Sequence, residues 1–314
     1  MDGVQGIETL ARFHVQHGTT TLLPTTMTRP WSEVLDALRS ISKVRDQGVD
    51  GGASIWGAHL GGPFISGQRL GAQGPFHIDP TRGRVEEILE LGVVRVVTLA
   101  PELPGAPEAA VEFARQGVRV SLGHTVGSYE DAVNVFRQVQ EEGGTVAGTH
   151  LYNAMGTLAG RTPGVLGAVF AHPGAFAEVI LDLHHVHPGA FAAAYSALPQ
   201  RLMLITDAMR AAGQTDEISE LGGQRVYLKD GQARLEDGTL AGSVLTLDQA
   251  LRNAVQCGLS LELVSQMLSQ VPARYLGLVD RGSLSVGLRA DVVVLDQALN
   301  VREVWVEGVQ TVCH

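Results

Sequence analysis

The chain of 314 residues is 45% hydrophobic and 18% charged, with 38 glycines and 13 prolines; this excludes intrinsic disorder and collagen-like repetition and leaves room for one large barrel or two modest domains. Lys and Arg number 23 against 33 Asp and Glu, a net charge of −10 that argues against nucleic acid and anionic membrane as partners and favours a small soluble molecule. The two cysteines, Cys257 and Cys313, build neither a disulfide framework nor a thiolate metal site, and suit a reducing cytoplasm. No run approaches the roughly 18 apolar residues of a membrane span, and the N-terminal MDGVQGIETLARF lacks the basic and apolar regions of an export signal.

In chain order, short β-rich runs are predicted at 20–24, 54–60, 94–100, 118–124, 145–150, 177–182 and 202–207. Between them, apolar residues recur at three and four over 7–16, 31–44, 107–116, 129–140 and 188–198, the spacing of amphipathic helices. The alternation predicts parallel βα units, seven of them, on the plan of a (β/α)₈ TIM-like barrel. Beyond Asp207 the pattern changes. Residues 224–236 read as a hairpin turning at Asp230-Gly231, Ser243 and Ser260 as helix caps, and 290–296 and 301–307 as strands of a small β appendage. The expected division is a catalytic barrel over 1–280, with a hairpin insertion at 222–238, and a β-sandwich remnant over 281–314.

His59, His124, His150 and Asp207 stand at or beside the C-terminal ends of predicted strands, with His184 and His185 just beyond another. In a barrel these ends meet on one rim, where the catalytic residues of that fold collect. Two imidazoles and a carboxylate there suit a divalent metal ion, although a histidine at a strand end is commonly a hydrogen-bonded structural residue. His14, His17 and His59, lacking partner chemistry nearby, are read as structural.

The runs His59-Leu60-Gly61-Gly62-Pro63-Phe64, Leu99-Ala100-Pro101-Glu102, Gly123-His124-Thr125, Thr149-His150-Leu151-Tyr152-Asn153-Ala154-Met155, Thr206-Asp207-Ala208-Met209 and Leu240-Ala241-Gly242-Ser243 occur in that order. Together with Pro272-Ala273-Arg274 and the stretch 287–296, they resemble the N-acetylglucosamine-6-phosphate deacetylases of the amidohydrolase superfamily over nearly the whole chain. The resemblance implies a metal-dependent hydrolase that removes the acetyl group of a phosphorylated amino sugar, cytoplasmic and homodimeric, with zinc first among the candidate metals and iron or cobalt as alternatives. It implies His124 and His150 as metal ligands and Asp207 as general base and acid. Asn153, Ala154, Arg161 and His185 would hold the sugar phosphate, some of them across a dimer interface. Without the resemblance, Arg161 would pass for a solvated charge and Asn153 for a turn residue.

Three departures stand out. Gly61 occupies the place of a metal-ligating glutamate, for which Glu102 is the candidate substitute. Gln73 replaces a histidine that contacts the acyl oxygen, and can donate a hydrogen bond but not carry a proton. The family's first barrel strand, with its H-x-H pair, is expected ahead of the residues that match the start of this chain. Gly61 and Gln73 keep two alternatives open: an impaired homologue that binds a phosphorylated amino sugar, and an amidohydrolase of another N-acyl substrate.

Overall fold

The computed structural model describes residues 2–314. Its centre is a curled parallel sheet of seven strands whose neighbours follow chain order, the TIM-like arrangement expected. The first two strand runs each break in the middle. Thr20–Pro24 yields β1 (Thr21–Leu22), whose continuation β2 (Thr25–Thr26) enters the sheet, and Ser54–Leu60 yields β3 (Ser54–Ile55) and β4 (Ala58–Leu60). Strand β1 pairs with β3 in a separate two-stranded ladder below the barrel.

The remaining barrel strands are β5 (Val94–Leu99), β6 (Arg119–Leu122), β7 (Val146–Gly148), β8 (Phe176–Ile180) and β9 (Leu202–Ile205). Buried on both faces, they carry near-continuous aliphatic runs rather than alternating ones, as parallel strands under helices must. Strands β2 and β9 form the two edges of the sheet.

Helices Gly3–Val15, Trp31–Gln47, Ala106–Arg115, Tyr129–Glu141 and Pro188–Ala197 follow the predicted periodicity. Two others, Arg82–Glu90 and Gly164–Ala171, have no counterpart in the sequence reading. The first has few apolar positions, and the second is apolar all round, so neither shows a clear stripe.

The predicted hairpin exists as β11 (Gln224–Lys229) and β12 (Gln232–Leu235), joined by an unforeseen β10 (Ile218–Leu221) into a three-stranded sheet. Ser260 does cap Leu261–Leu268. Ser243 does not cap a helix: its hydroxyl is spent between the Thr206 carbonyl and the Leu245 amide, and the helix starts four residues later, at Leu247, after Thr246. Strands β13 (Val292–Leu295), β14 (Val301–Val306) and β15 (Val309–Cys313) form the C-terminal antiparallel sheet. It packs Val301, Val304 and Val312 against Val15 and Ala53.

The helix that follows the His124 turn is anchored by a capping box. The Ser128 hydroxyl accepts the Asp131 amide at 3.0 Å, and Asp131 accepts the Ser128 amide at 2.9 Å. Ser128→Ala is expected to cost about 1 kcal/mol, read as a lower denaturant midpoint at unchanged m-value.

Candidate active site

A cavity of about 1340 Å³ opens at the C-terminal rim, lined by His59, Gly61, Gln73, His124, His150, Asn153, Ala154, His185 and Asp207. The barrel thus gathers every predicted site residue except Arg161, which is exposed and not among the lining residues. His124, His150 and Asp207 each stand two residues beyond a strand end, and each has positive φ: 48°, 31° and 47°. Such conformations are costly for residues with a Cβ, and here they turn three side chains inward at the points where the strands end.

The two histidines face one another, Nε2 to Nε2, at 3.0 Å. His124 Nδ1 lies 2.8 Å from the Arg69 carbonyl, so it carries the proton and leaves Nε2 a lone pair. Burial holds both imidazoles down to about 4, so both are neutral at pH 7. His150 Nδ1 is buried without a partner. Two neutral imidazoles with converging Nε2 atoms are donors that fit a divalent cation. Their third protein partner is not evident: the described residues contain no group of three or more candidate ligands.

Glu102, the expected substitute, is engaged elsewhere. Its Oε2 accepts the Thr125 hydroxyl at 2.5 Å and its Oε1 the Val126 amide at 2.9 Å, so it braces the His124 turn from outside. Nor is Gly61 a mere deletion. A Cβ built there would lie 2.7 Å from the Thr26 carbonyl oxygen and 2.7 Å from Thr25 Cγ2, so the β2 backbone fills the space where a side chain would start.

His185 is oriented by Asp182, whose Oδ2 lies 2.6 Å from Nδ1 and whose Oδ1 accepts the His184 and His185 amides at 2.9 and 2.8 Å. Burial pushes the Asp182 carboxyl up, but these hydrogen bonds outweigh it and hold the group below its ordinary value. The Asp207 side chain opens on the cavity, yet protein surrounds it closely enough that desolvation raises its carboxyl, against the opposing pull of His185 and His124. His59 also lines the cavity, and its Nε2 lies 2.7 Å from Thr98 Oγ1, from which a chain runs to Thr149 at 2.9 Å and on to Ser121 at 2.6 Å.

A further group was missed in the sequence. Glu178 on β8 is 5% exposed, lines the cavity, and is pushed up to about 8 by burial, with Asp207 adding to the effect and the His150 amide opposing it. A lone carboxyl inside the aliphatic run Ala177–Ile180 was its signal.

A model of the amidohydrolase family matches residues 1–311. The chain belongs to the amidohydrolase family. This amidohydrolase is 38% identical to an N-acetylgalactosamine-6-phosphate deacetylase of Escherichia coli O157:H7, over 98% of this chain and 81% of that protein. It is 36% identical to an N-acetylglucosamine-6-phosphate deacetylase of Vibrio furnissii, over 96% of this chain and 75% of that one. Among solved structures, a mutant N-acetyl-D-glucosamine-6-phosphate deacetylase from Mycobacterium smegmatis in complex with N-acetyl-D-glucosamine-6-phosphate superposes with a TM-score of 0.89 at 36% identity, covering 96% of this chain and 79% of that one. The amidohydrolase fold and a hydrolytic, metal-dependent enzyme class follow from these likenesses.

Two outcomes are expected. Gly61→Ala should destabilise by about 1–3 kcal/mol through overpacking against β2, read by denaturant titration. After chelation, thermal stability should peak near pH 6.5. As pH falls from about 6.5 toward 4, the unfolded chain takes up protons that buried His14, His59, His124 and His150 refuse, so stability drops. From about pH 4.5 to about 8 the unfolded chain lacks a proton that folded Glu178 keeps, and once the histidine effect is complete this makes stability drop again. Glu178→Gln should flatten this alkaline limb of Tm against pH and leave the acidic limb in place.

Proposed function

We propose that this amidohydrolase cleaves the N-acetyl group of N-acetylglucosamine 6-phosphate, giving glucosamine 6-phosphate and acetate. The observation that carries the reading is the buried Nε2–Nε2 pair of His124 and His150 sharing one cavity with Asp207. It is supported by likeness, over 96–98% of this chain, to deacetylases of N-acetylhexosamine 6-phosphates, one of them in complex with N-acetyl-D-glucosamine-6-phosphate.

In this reading His124 and His150 would hold a divalent cation, zinc first among the candidates, which when bound would lower the pKa of a water molecule toward neutrality. Asp207 stands to accept a proton from the attacking water at a carboxylate oxygen and to return a proton to the departing amine nitrogen as the C–N bond of the acetamide breaks. The raised carboxyl of Asp207 suits both halves of that exchange. His185, held through Nδ1 by anionic Asp182, offers Nε2 to a sugar hydroxyl. In this reading Asn153 and Ala154, which line the cavity, lie at the phosphorylated end. Arg161, outside the cavity of its own chain, serves the phosphate in the second subunit of a homodimer, where its planar fork can pair two oxygens. The enzyme works in the cytoplasm.

Acetate release from N-acetylglucosamine 6-phosphate and from its galactosamine epimer tests the reading and its sugar preference; no release from either would sink it. Asp207→Asn should lower kcat by about 10²–10⁴ while zinc binding persists in calorimetry. Asp207→Asn and Arg161→Ala chains, each impaired alone, should regain activity when mixed and allowed to exchange subunits. Absence of recovery would remove Arg161 from the partner's site.

A further inference from the structure

A general base works only while its carboxylate is held toward the proton it takes, and a displacement of about 1 Å can cost a large part of the rate. Among the described residues nothing donates a hydrogen bond to the Asp207 carboxylate, so the backbone that carries it sets its direction. The three inward-turned residues differ in what flanks that backbone. Strand β6 lies between β5 and β7, and β7 between β6 and β8, so the turns of His124 and His150 follow strands paired on both sides. Strand β9 is an edge, paired with β8 alone, and Asp207 stands beyond it at φ 47°.

That turn is tied down by a segment remote in the chain. The Ser243 amide donates to the Asp207 carbonyl at 3.0 Å, the Ser243 carbonyl accepts the Met209 amide at 2.9 Å, and the Ser243 hydroxyl donates to the Thr206 carbonyl. One buried residue thus grips positions 206, 207 and 209, and Ala208 between them forms a parallel bridge with it. Gly242, at φ 66°, passes so close that a Cβ there would lie 3.3 Å from the Asp207 carbonyl oxygen, which suits a residue without a side chain. The grip is itself anchored on both sides. Ala241 shares a buried cluster with Met209, Ala211, Val226 of β11 and Ala233 of β12. The Leu245 amide donates to the Ser243 hydroxyl at 3.0 Å, just ahead of the helix that starts at Leu247.

We propose that Ser243 is a positioning residue for hydrolysis: its main chain and hydroxyl hold residues 206–209 in the conformation that turns the Asp207 carboxylate into the cavity. This rests on the amide-hydrolysis reading above. Ser243 touches neither substrate nor cation in this role and acts through Asp207 alone.

Ser243→Ala removes the hydroxyl tie and leaves the two main-chain ties. It should lower kcat for N-acetylglucosamine 6-phosphate by about 10–10²-fold with KM within about twofold. In an Asp207→Asn chain the same substitution should change kcat by less than about threefold, because the group it positions is already gone. Equal losses in the two backgrounds are what a merely structural serine gives, and overturn the assignment. Ser243→Thr keeps the hydroxyl and should hold kcat within about threefold of the unaltered chain; a loss as large as that of Ser243→Ala overturns it as well. Independently of turnover, the Met209 amide should exchange with deuterium at least about tenfold faster in Ser243→Ala. Acetate release with unchanged exchange overturns the inference alone. Faster exchange with no acetate release from the unaltered chain supports the grip on Asp207 and overturns the hydrolysis reading.

Discussion

The 3.0 Å approach of His124 Nε2 to His150 Nε2 is the constraint around which the rim is arranged. Two neutral imidazoles can share at most one N–H···N bond, and each carries a backbone conformation that side chains avoid. The approach therefore has to be imposed by what lies around it. From below, parallel pairing of β6 with β7 places the two strand ends side by side. From outside, Glu102 ties down the turn after His124, and the Leu151 amide, bonded to the Glu178 carbonyl at 2.7 Å, ties down the turn after His150. From above, the Arg69 carbonyl selects the tautomer of His124. Geometry that is costly locally and held from three directions is what a binding site for a charged group requires.

Beneath the pair lies a polar layer that explains why a barrel interior contains hydroxyls at all. Because Thr149 donates to Ser121, it must accept from Thr98, and Thr98 must in turn accept from the Nε2–H of His59. The chain crosses four strands and has one consistent direction, so the tautomer of a buried histidine is set by hydroxyls two strands away. Satisfied networks of this kind give a unique arrangement where an aliphatic layer could slip.

Much of this was legible in the sequence because it is periodic or stands at a boundary. His124, His150 and Asp207 are polar residues at the ends of aliphatic strand runs, and strand ends on one rim are neighbours however far apart they lie in the chain. The hairpin at Asp230-Gly231 was equally visible, since its turn chemistry is local. What escaped depends on contacts between distant segments. That Glu102 is occupied follows from a turn 23 residues away. That the place of Gly61 is filled follows from the β2 backbone, a different strand. Ser243 was read as a cap from its neighbours, yet its hydroxyl is claimed by Thr206, 37 residues earlier. Glu178 carried a signal, but a charge within a buried strand can mean an edge, an ion pair or a protonated carboxyl, and only its surroundings decide.

The segment around β2 links these observations. Its Thr26 carbonyl stands where a side chain at position 61 would begin, and two residues later the Thr28 amide fixes Gln73. Gly61 and Gln73 therefore meet on one stretch of backbone rather than at unrelated points. A larger residue at position 61 would have to push against β2, and any shift of β2 is transmitted to Thr28 and on to the orientation of the Gln73 amide. Gly61 and Gln73 are in this sense a coupled pair: the glycine lets β2 lie close, and its closeness is what brings the Thr28 N–H within reach of a glutamine. Effects of substitutions at the two sites should not simply add, because they share one structural intermediary.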